Sequence, residues 1–467
     1  MRIVHLLRKY NPDEWGGTET ALLQLCNGLR QQGVTSLVYC PRILSRPPHE
    51  PPCRSRREEA HLSSPGSQSL LTSVPTARGP QADGADAAVP EKHGGFDPLA
   101  QSGFSIRRFK ACLPIWGIPE NRRQQLVAVG GNMISLDLVR ALWRDPGVAL
   151  IHSHTLGRLG GVALTVAKLR KIPIVITIHG GWLDVPERVR KTFDDHAQGG
   201  LDWGKPFGAL FGSRRIVEAA DAVLTCNPKE AELLRNKYPH QRVLVQPHGI
   251  SVERFRKDHR ETAREAFPAI RDRQVLLAVG RIDPQKNQAW LIEQAPRIFQ
   301  KHPRSILVLA GACTDQVYGE QLKRRIQSLE LGQKVVLTGG LPPGDPRLTG
   351  LYQEAAAVLL PSHTETFGLV ILEAWAASAC VISSRTSGAS FLIRHGHDGW
   401  LFELECPEAF HDAVDRALQT PDWAKDLASV GSRRVVAEYD VSVLAGRVKR
   451  LYEELTKTHA PRHSPRR

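Results

Sequence analysis

No stretch of about 18 or more apolar residues occurs in this 467-residue chain, which excludes a transmembrane helix. The apolar part of Met1-Arg2-Ile3-Val4-His5-Leu6-Leu7 is too short for a secretory signal and reads as a buried first strand. No two cysteines are spaced CxxC, and the eight at 26, 40, 53, 112, 226, 313, 380 and 406 fit no zinc pattern. Cys226 and Cys380 lie in apolar runs, as reduced core thiols do, so the expected location is cytoplasmic. Basic residues are not interleaved with aromatics and no nucleic-acid motif appears, so no nucleic acid is expected among the partners. With 41% hydrophobic and 24% charged residues, the chain is not wholly disordered, collagen-like or a small disulfide scaffold.

What is present is length and basicity. The chain is long enough for two or three domains with sizeable cores. It holds 62 Lys+Arg against 48 Asp+Glu, a formal charge of +14. Residues 1–255 hold 33 and 23 of these, or +10; the remainder holds 29 and 25, or +4. A basic first half fits an anionic partner such as a phosphorylated substrate or an anionic membrane surface; plain solubility is the competing reading.

Strands and helices alternate along two blocks. In the first, Ile3–Leu7, Ser36–Cys40, Leu150–His154, Ile174–Ile178, Ala222–Cys226 and Val243–Gln246 read as strands. Trp15-Gly16-Gly17-Thr18-Glu19 is a turn opening a helix with Leu22, Leu25, Cys26 and Leu29 at helical spacing, and Gly161–Leu169 reads as another helix. In the second, Val275–Val279, Ile306–Leu309, Val335–Leu337, Ala357–Leu360 and Val381–Ser383 are strands separated by charged helical stretches. Such alternation predicts parallel sheets covered on both faces: two doubly wound α/β domains facing across a cleft. The expected boundaries are 1–255, 256–437, a helical segment 438–457 packing back toward the first domain, and a basic tail 458–467. Residues 43–100, rich in Pro, Ser, Arg, Ala and Gly without apolar period, read as a disordered insertion, with a functional lid as the alternative.

In doubly wound folds ligands bind beyond the carboxyl ends of strands, and the chemistry-bearing residues lie there. Gly280-Arg281-Ile282-Asp283-Pro284-Gln285-Lys286 follows Val275–Val279. Arg281 can fork two phosphate oxygens and Lys286 can act as a point charge; two solvated surface cations are the competing reading. Pro361-Ser362-His363-Thr364-Glu365-Thr366-Phe367-Gly368-Leu369-Val370-Ile371-Leu372-Glu373 follows Ala357–Leu360. Gly368 permits close backbone approach at a helix start, where free N–H groups favour phosphate. At helical rise, Glu365 and Glu373 stand about 12 Å apart along one face. That is too far for a glycosidase pair, which needs about 5–9.5 Å, but it suits two ends of a nucleotide sugar.

The stretch from Ser362 to Glu373, with Ala374 and Gly388 beyond, resembles glycosyltransferase family 4, retaining enzymes of the GT-B fold whose E-x7-E motif Glu365 and Glu373 match. Gly280-Arg281 with Lys286 is similar to the family's phosphate-binding pair, Gly16-Gly17-Thr18-Glu19 to its N-terminal glycine loop, and His179-Gly180 to its histidine after a first-domain strand. The resemblance covers nearly all the chain outside residues 43–100 and the tail. It implies a nucleotide-diphosphate sugar as donor and a glycan or lipid-linked hydroxyl as acceptor, with no metal and no other cofactor. It further implies that Arg281 and Lys286 hold the diphosphate and that Glu373 binds the ribose. Glu365 would contact the transferred sugar, aided by backbone N–H groups at Phe367, Gly368, Leu369 and Val370. Gly17 would let its loop approach the phosphate or the acceptor. His179 would sit near the reaction centre, so His179, Arg281, Lys286 and Glu365 are the expected catalytic group.

Departures and alternatives belong beside this. Ser387-Gly388-Ala389-Ser390 has Ala389 where the family often has a second glycine, and no acid follows. His152-Ser153-His154 and His395-Gly396-His397 have the spacing of some metal ligands but no Cys or acid at a matching distance. His154 reads either as lining the acceptor cleft or as a satisfied structural histidine. Trp182, Trp203, Phe207 and Phe211 with Lys205, Arg214 and Arg215 form either an aromatic-basic surface or a helix packed on the core. A non-catalytic GT-B binding protein is the alternative function, and an epimerase of similar fold is opposed by the Glu365–Glu373 pattern.

Overall fold

Apolar runs buried on both faces dictate the architecture. In the computed structural model, which describes residues 1–10, 16–42, 99, 102–119, 123, 126, 132–180, 183, 201–342 and 344–459, the first such run is β1 (Arg2–Leu6), followed by β2 (Thr35–Pro41). β3 (Ser105–Phe109), β5 (Leu150–Ser153), β6 (Ile174–Ile178), β8 (Ala222–Thr225) and β9 (Val243–Val245) complete an all-parallel sheet in the order β3-β2-β1-β5-β6-β8-β9. The short strands β4 (Ile115–Trp116) and β7 (Leu201–Asp202) pair antiparallel apart from it. Every residue of β5, β6 and β8 is buried, which is why these strands are mainly apolar, with His152, Ser153, Thr177 and Thr225 as their buried polar members.

The second sheet, also parallel, orders β12-β11-β10-β13-β14-β15. Its strands are β10 (Gln274–Val279), β11 (Ser305–Ala310), β12 (Val335–Gly339), β13 (Ala355–Leu360), β14 (Val381–Ser384) and β15 (Trp400–Phe402). This is the doubly wound order, and strand direction of growth reverses between β10 and β13. In the first sheet the reversal lies between β1 and β5. Ligand crevices form at such points, so the loops after β1, β5, β10 and β13 are the ones to inspect.

The chain passes from the first sheet to the second near Gly249-Ile250 and returns at Asp440-Val441. The two crossings run side by side: Ile250 N–H donates to the Tyr439 carbonyl (3.0 Å) and Val441 N–H to the Ile250 carbonyl (2.9 Å). Helix α1 (Gly17–Gln31) covers β1, and the last helix, Val441–His459, lies on the same lobe. Its Ala445, Val448, Leu451, Tyr452 and Leu455 pack with Ile3, Leu29, Val34, Leu150, Val175 and Leu224. Close contact requires Gly28: a Cβ there would lie 2.6 Å from the Ala445 Cβ.

The insertion expected over 43–100 lies, except for Leu99, outside the described residues or at their edge, as do the tail past residue 459 and Trp182. The helix expected at Gly161–Leu169 begins earlier, at Gly157 (helix α2, Gly157–Arg170), because Gly157 takes φ +68° and turns the chain into the helix directly after β5. Among the described residues no cysteine is disulfide-bonded; Cys26, Cys40, Cys226 and Cys380 are buried, and burial pushes the Cys26 and Cys380 thiols up to about 12. No described helix is long and apolar enough to cross a membrane.

Candidate active site at the paired switch points

After β10 the backbone of Gly280 takes φ +152°, and a Cβ on Gly311 would lie 2.0 Å from the Gly280 carbonyl oxygen, so two strand ends crowd here. Asp283 then caps the turn Pro284–Lys286, accepting the Lys286 N–H at 3.1 Å. This tight turn directs Lys286 toward the loop after β13. Two bonds stitch the loops together: His363 N–H to the Gln285 carbonyl (3.0 Å) and the Gln285 side-chain amide to the Thr364 carbonyl (3.2 Å). Lys286 Nζ meets Glu365 Oε2 at 2.5 Å, both side chains mostly shielded. Arg281, about half exposed, pairs instead with Asp283 on its own loop at 3.1 Å.

Phe367 is buried, and the Glu365 carbonyl accepts the Gly388 N–H at 2.7 Å. Only glycine fits at 388, since a Cβ would lie 2.6 Å from the Phe367 nitrogen. Ala389 is fully buried in the core behind it. Gly368 takes φ +96° and caps helix α3 (Leu369–Ala376), leaving Leu369 and Val370 partly exposed in its first turn. Here the structure corrects the sequence reading. Glu365 lies in the loop and Glu373 in the second turn of a helix that begins four residues after Glu365, so no continuous helix spaces them. The left-handed Gly368 breaks the regular rise that the spacing assumed. Glu373 is half-buried and accepts a 2.7 Å hydrogen bond from the buried Tyr352 hydroxyl. Burial pushes its carboxyl above the ordinary range, opposed by the Tyr352 bond and the Arg254 charge.

The facing lobe contributes through the ends of β6 and β8. Asn227 Nδ2 donates to the Thr366 carbonyl at 2.8 Å. Gly180 (φ +95°) presses on the same residue: a Cβ there would lie 2.5 Å from the Thr366 Cβ. His179, half-buried, therefore stands beside the loop that carries Glu365. Its Nε2 lies 2.9 Å from His154 Nδ1 and its Nδ1 3.5 Å from His248 Nε2. Burial, with the Arg8 charge, pushes the His179 imidazole well down, so it is neutral. Gly17 is exposed at the first position of α1, with no atom within 4 Å of where its Cβ would be.

The structure thus brings Lys286 into contact with Glu365 and sets His179 near them, while Arg281 and Glu373 have partners of their own. Spacing did not single out Tyr352, Asn227, His5 or His248; each acts on a motif residue only through the tertiary fold. Among the described residues one group, His5, His152 and His154, has ligand atoms within 4.8 Å of one another. All six of its ring nitrogens already have hydrogen-bond partners, His152 bonding Tyr452 and Thr177, so a metal would have to displace them. His395 accepts the Leu401 N–H and packs on Trp400, a structural role. Phe207 and Phe211 pack partly on the first core, whereas Trp116 and Trp203 stay exposed with ring centroids 5.9 Å apart.

Two parallel sheets of doubly wound order, joined by a double crossing, define a GT-B protein. Comparison with known proteins agrees. Residues 16–249 match the glycosyl transferase 4-like domain and residues 259–434 the glycosyl transferases group 1 domain. The D-inositol 3-phosphate glycosyltransferase of Thermobispora bispora is 30% identical over 324 residues, 68% of this chain and 73% of that one. The enzyme of the same name from Frankia alni is 30% identical over 68% and 77%. Anabaena Alr3699/HepE, solved with UDP and glucose, superposes with a TM-score of 0.66 at 17% identity, covering 97% of this chain and 100% of that one. Sucrose-phosphate synthase from Thermosynechococcus elongatus gives 0.66 at 21% identity, covering 98% and 99%. The chain belongs to glycosyltransferase family 4.

Proposed function

We propose that this glycosyltransferase moves a sugar, with retention, from a nucleotide-diphosphate sugar to a hydroxyl of a glycan, lipid-linked or phosphorylated polyol acceptor. The observation that carries this reading is the Lys286–Glu365 contact between two loops stitched together at the second switch point. A diphosphate arriving there takes Lys286 from Glu365 and Arg281 from Asp283, exchanging carboxylate partners for phosphate. Glu365, released, is free for the sugar's hydroxyls. Glu373 keeps the Tyr352 bond on one oxygen and offers the other to the ribose diol. The N–H groups at the start of α3 add partial positive charge.

As the glycosidic bond breaks, negative charge grows on the departing phosphate. Arg281 and Lys286 stabilise it without a divalent ion, so a chelator leaves turnover unchanged. The acceptor oxygen attacks the same face, and its proton passes to the departing phosphate oxygen. Anabaena Alr3699/HepE was solved with UDP and the curated relatives are named for D-inositol 3-phosphate, so UDP-sugars and that acceptor are the first probes. The test has two stages. Nucleoside diphosphates and their sugars are screened for a rise in melting temperature, and nucleotide release is then followed with and without acceptor. Binding of a nucleotide or glycan with no release from any donor would favour the non-catalytic alternative.

The acceptor lobe is the one that carries the excess basic charge, and its Trp116–Trp203 pair lies exposed near Lys205 in sequence. These features support peripheral contact with an anionic membrane on its cytoplasmic side. Sedimentation with neutral and anionic vesicles at low and high salt tests it; equal partitioning onto both removes the idea.

A further inference from the structure

Four histidines from separate stretches of the chain form a single file in the first lobe. Ser36 Oγ lies 3.3 Å from His5 Nε2; His5 Nδ1 lies 3.1 Å from His154 Nε2; His154 Nδ1 lies 2.9 Å from His179 Nε2; and His179 Nδ1 lies 3.5 Å from His248 Nε2. The rings stack with interplanar angles of 26°, 25° and 29°. Burial holds all four neutral: His5 is pushed down to about 3 and His248 to about 4, while His154 and His179 lie well below the ordinary range. The surrounding groups are His152, bonded to Tyr452 and Thr177; the Cys26 thiol, bonded to Ser36; and Arg8, whose charge reaches His179 and Glu19.

A neutral imidazole has one N–H and one bare nitrogen. Every link in the file joins Nδ1 of one ring to Nε2 of the next, and each link takes one hydrogen. All four rings must therefore carry the proton on the same-named nitrogen, and only two orders exist. With all protons on Nε2, the file donates into Ser36 and His179 presents a bare Nδ1. With all protons on Nδ1, the Ser36 hydroxyl donates into His5 and His179 Nδ1 donates to His248 at the far end of the file. That end is the longest link, and it abuts the donor loop through Gly180 against Thr366 and through the His248 ring edge-on to Phe367 at 4.9 Å. A phosphate oxygen only accepts hydrogen bonds, so a ligand oxygen entering this link selects Nδ1–H on His179, and through it on His154 and His5, and releases His248 from the shared order.

We propose that His5 and His154 are positioning residues that hold the proton on Nδ1 of His179, making that nitrogen the donor to the nucleotide sugar. This rests on the donor assignment above. It makes proton order, from Ser36 to the cleft, part of the site.

The experiment labels the histidines of the full chain with nitrogen-15 and reads the side-chain tautomers at neutral pH, with and without UDP, with resonances assigned by single substitutions. The expected result is that all four imidazoles are neutral and share one tautomer without ligand, and that His5, His154 and His179 carry the proton on Nδ1 when UDP is added. Mixed tautomers among the four without ligand, mixed tautomers among His5, His154 and His179 with UDP, or an imidazolium among the four, would overturn the proposal. So would His179 carrying its proton on Nε2 in the UDP complex. Kinetics give a second reading. His5→Phe is expected to lower kcat about tenfold with the donor KM unchanged, and to add nothing to the loss caused by His179→Ala. Additive losses would mean a merely structural role and would also overturn it. Ser36→Ala, a smaller change, is the variant to use should His5→Phe not fold. Failure of UDP to bind the unaltered protein would sink the donor assignment instead; the shared tautomer without ligand would still stand or fall on its own.

Discussion

The two switch points solve one problem, holding polar groups in a cleft, in opposite ways. After β10 and β13 the groups are charged and paired: Lys286 with Glu365, Arg281 with Asp283. In β1 and after β5, β6 and β9 they are neutral and hydrogen-bonded: His5, His154, His179 and His248. Ion pairs at half-open positions can change partner when a phosphate arrives, since the exchange keeps charge balanced. Neutral rings deep in a lobe cannot take up charge cheaply, so they transmit only the direction of hydrogen bonds. The half after β10 and β13 is thus built for charge and the facing half for orientation.

The largest effect expected from breaking this contrast is at Lys286. Lys286→Ala should lower kcat by about 10²–10³-fold, the range for deleting one preorganised stabilising group, with the melting temperature nearly unchanged. Near-normal nucleotide release would show that the charged half does not do the chemistry assigned to it. Next is Gly28→Val, which strikes only the neutral half. It forces a side chain into the α1 contact with Ala445 and should cost about 1–3 kcal/mol in denaturant unfolding. An unchanged midpoint would mean that the last helix can shift at no cost.

Acid should separate the halves as well. His5 and His248 bind protons in the fold only near 3 and 4, against 6.5 for an exposed imidazole. The unfolded chain therefore holds more protons between these values, and stability present above about 6.5 is lost as the pH falls. Each ring contributes a slope of up to about 1.4 kcal/mol per pH unit in that window. His5→Phe should flatten the acid limb of a plot of stability against pH; an unaltered limb would mean that His5 is not the group responsible. The smallest effect is expected at Tyr352. Tyr352→Phe removes one hydrogen bond to the Glu373 carboxylate and should raise the donor KM about tenfold at similar kcat, a loss of about 1.5 kcal/mol.

Much of the frame was legible because parallel strands buried on both faces leave continuous apolar runs. Ile174–Ile178 was read at its full length, and the loops after β10 and β13 were recognisable as the ones that carry the candidate site. The geometry within those loops was not. A left-handed Gly368 between Glu365 and Glu373 cancels a spacing argument that assumes regular rise, and nothing in a string of letters shows φ. The histidine file was hidden for another reason. His5 and His154 become neighbours only because β1 and β5 lie side by side, and His248 joins only because the chain turns back toward the cleft after β9. The HxH at 152 and 154 was visible, but the partners that decide its role come from residues 5, 179, 248 and 452.

The side-by-side crossings at Ile250 and Asp440 make the second lobe an insert within the first. Fragment design must respect that nesting. An expression product ending near residue 250 would lack the helix Val441–His459 and, with it, the Tyr452 hydroxyl that holds His152. Joining residue 250 to residue 441 by a short bridge would instead excise the donor lobe whole. The same junction is the place at which the corresponding lobe of another family member would be joined, so the two lobes could be exchanged as units.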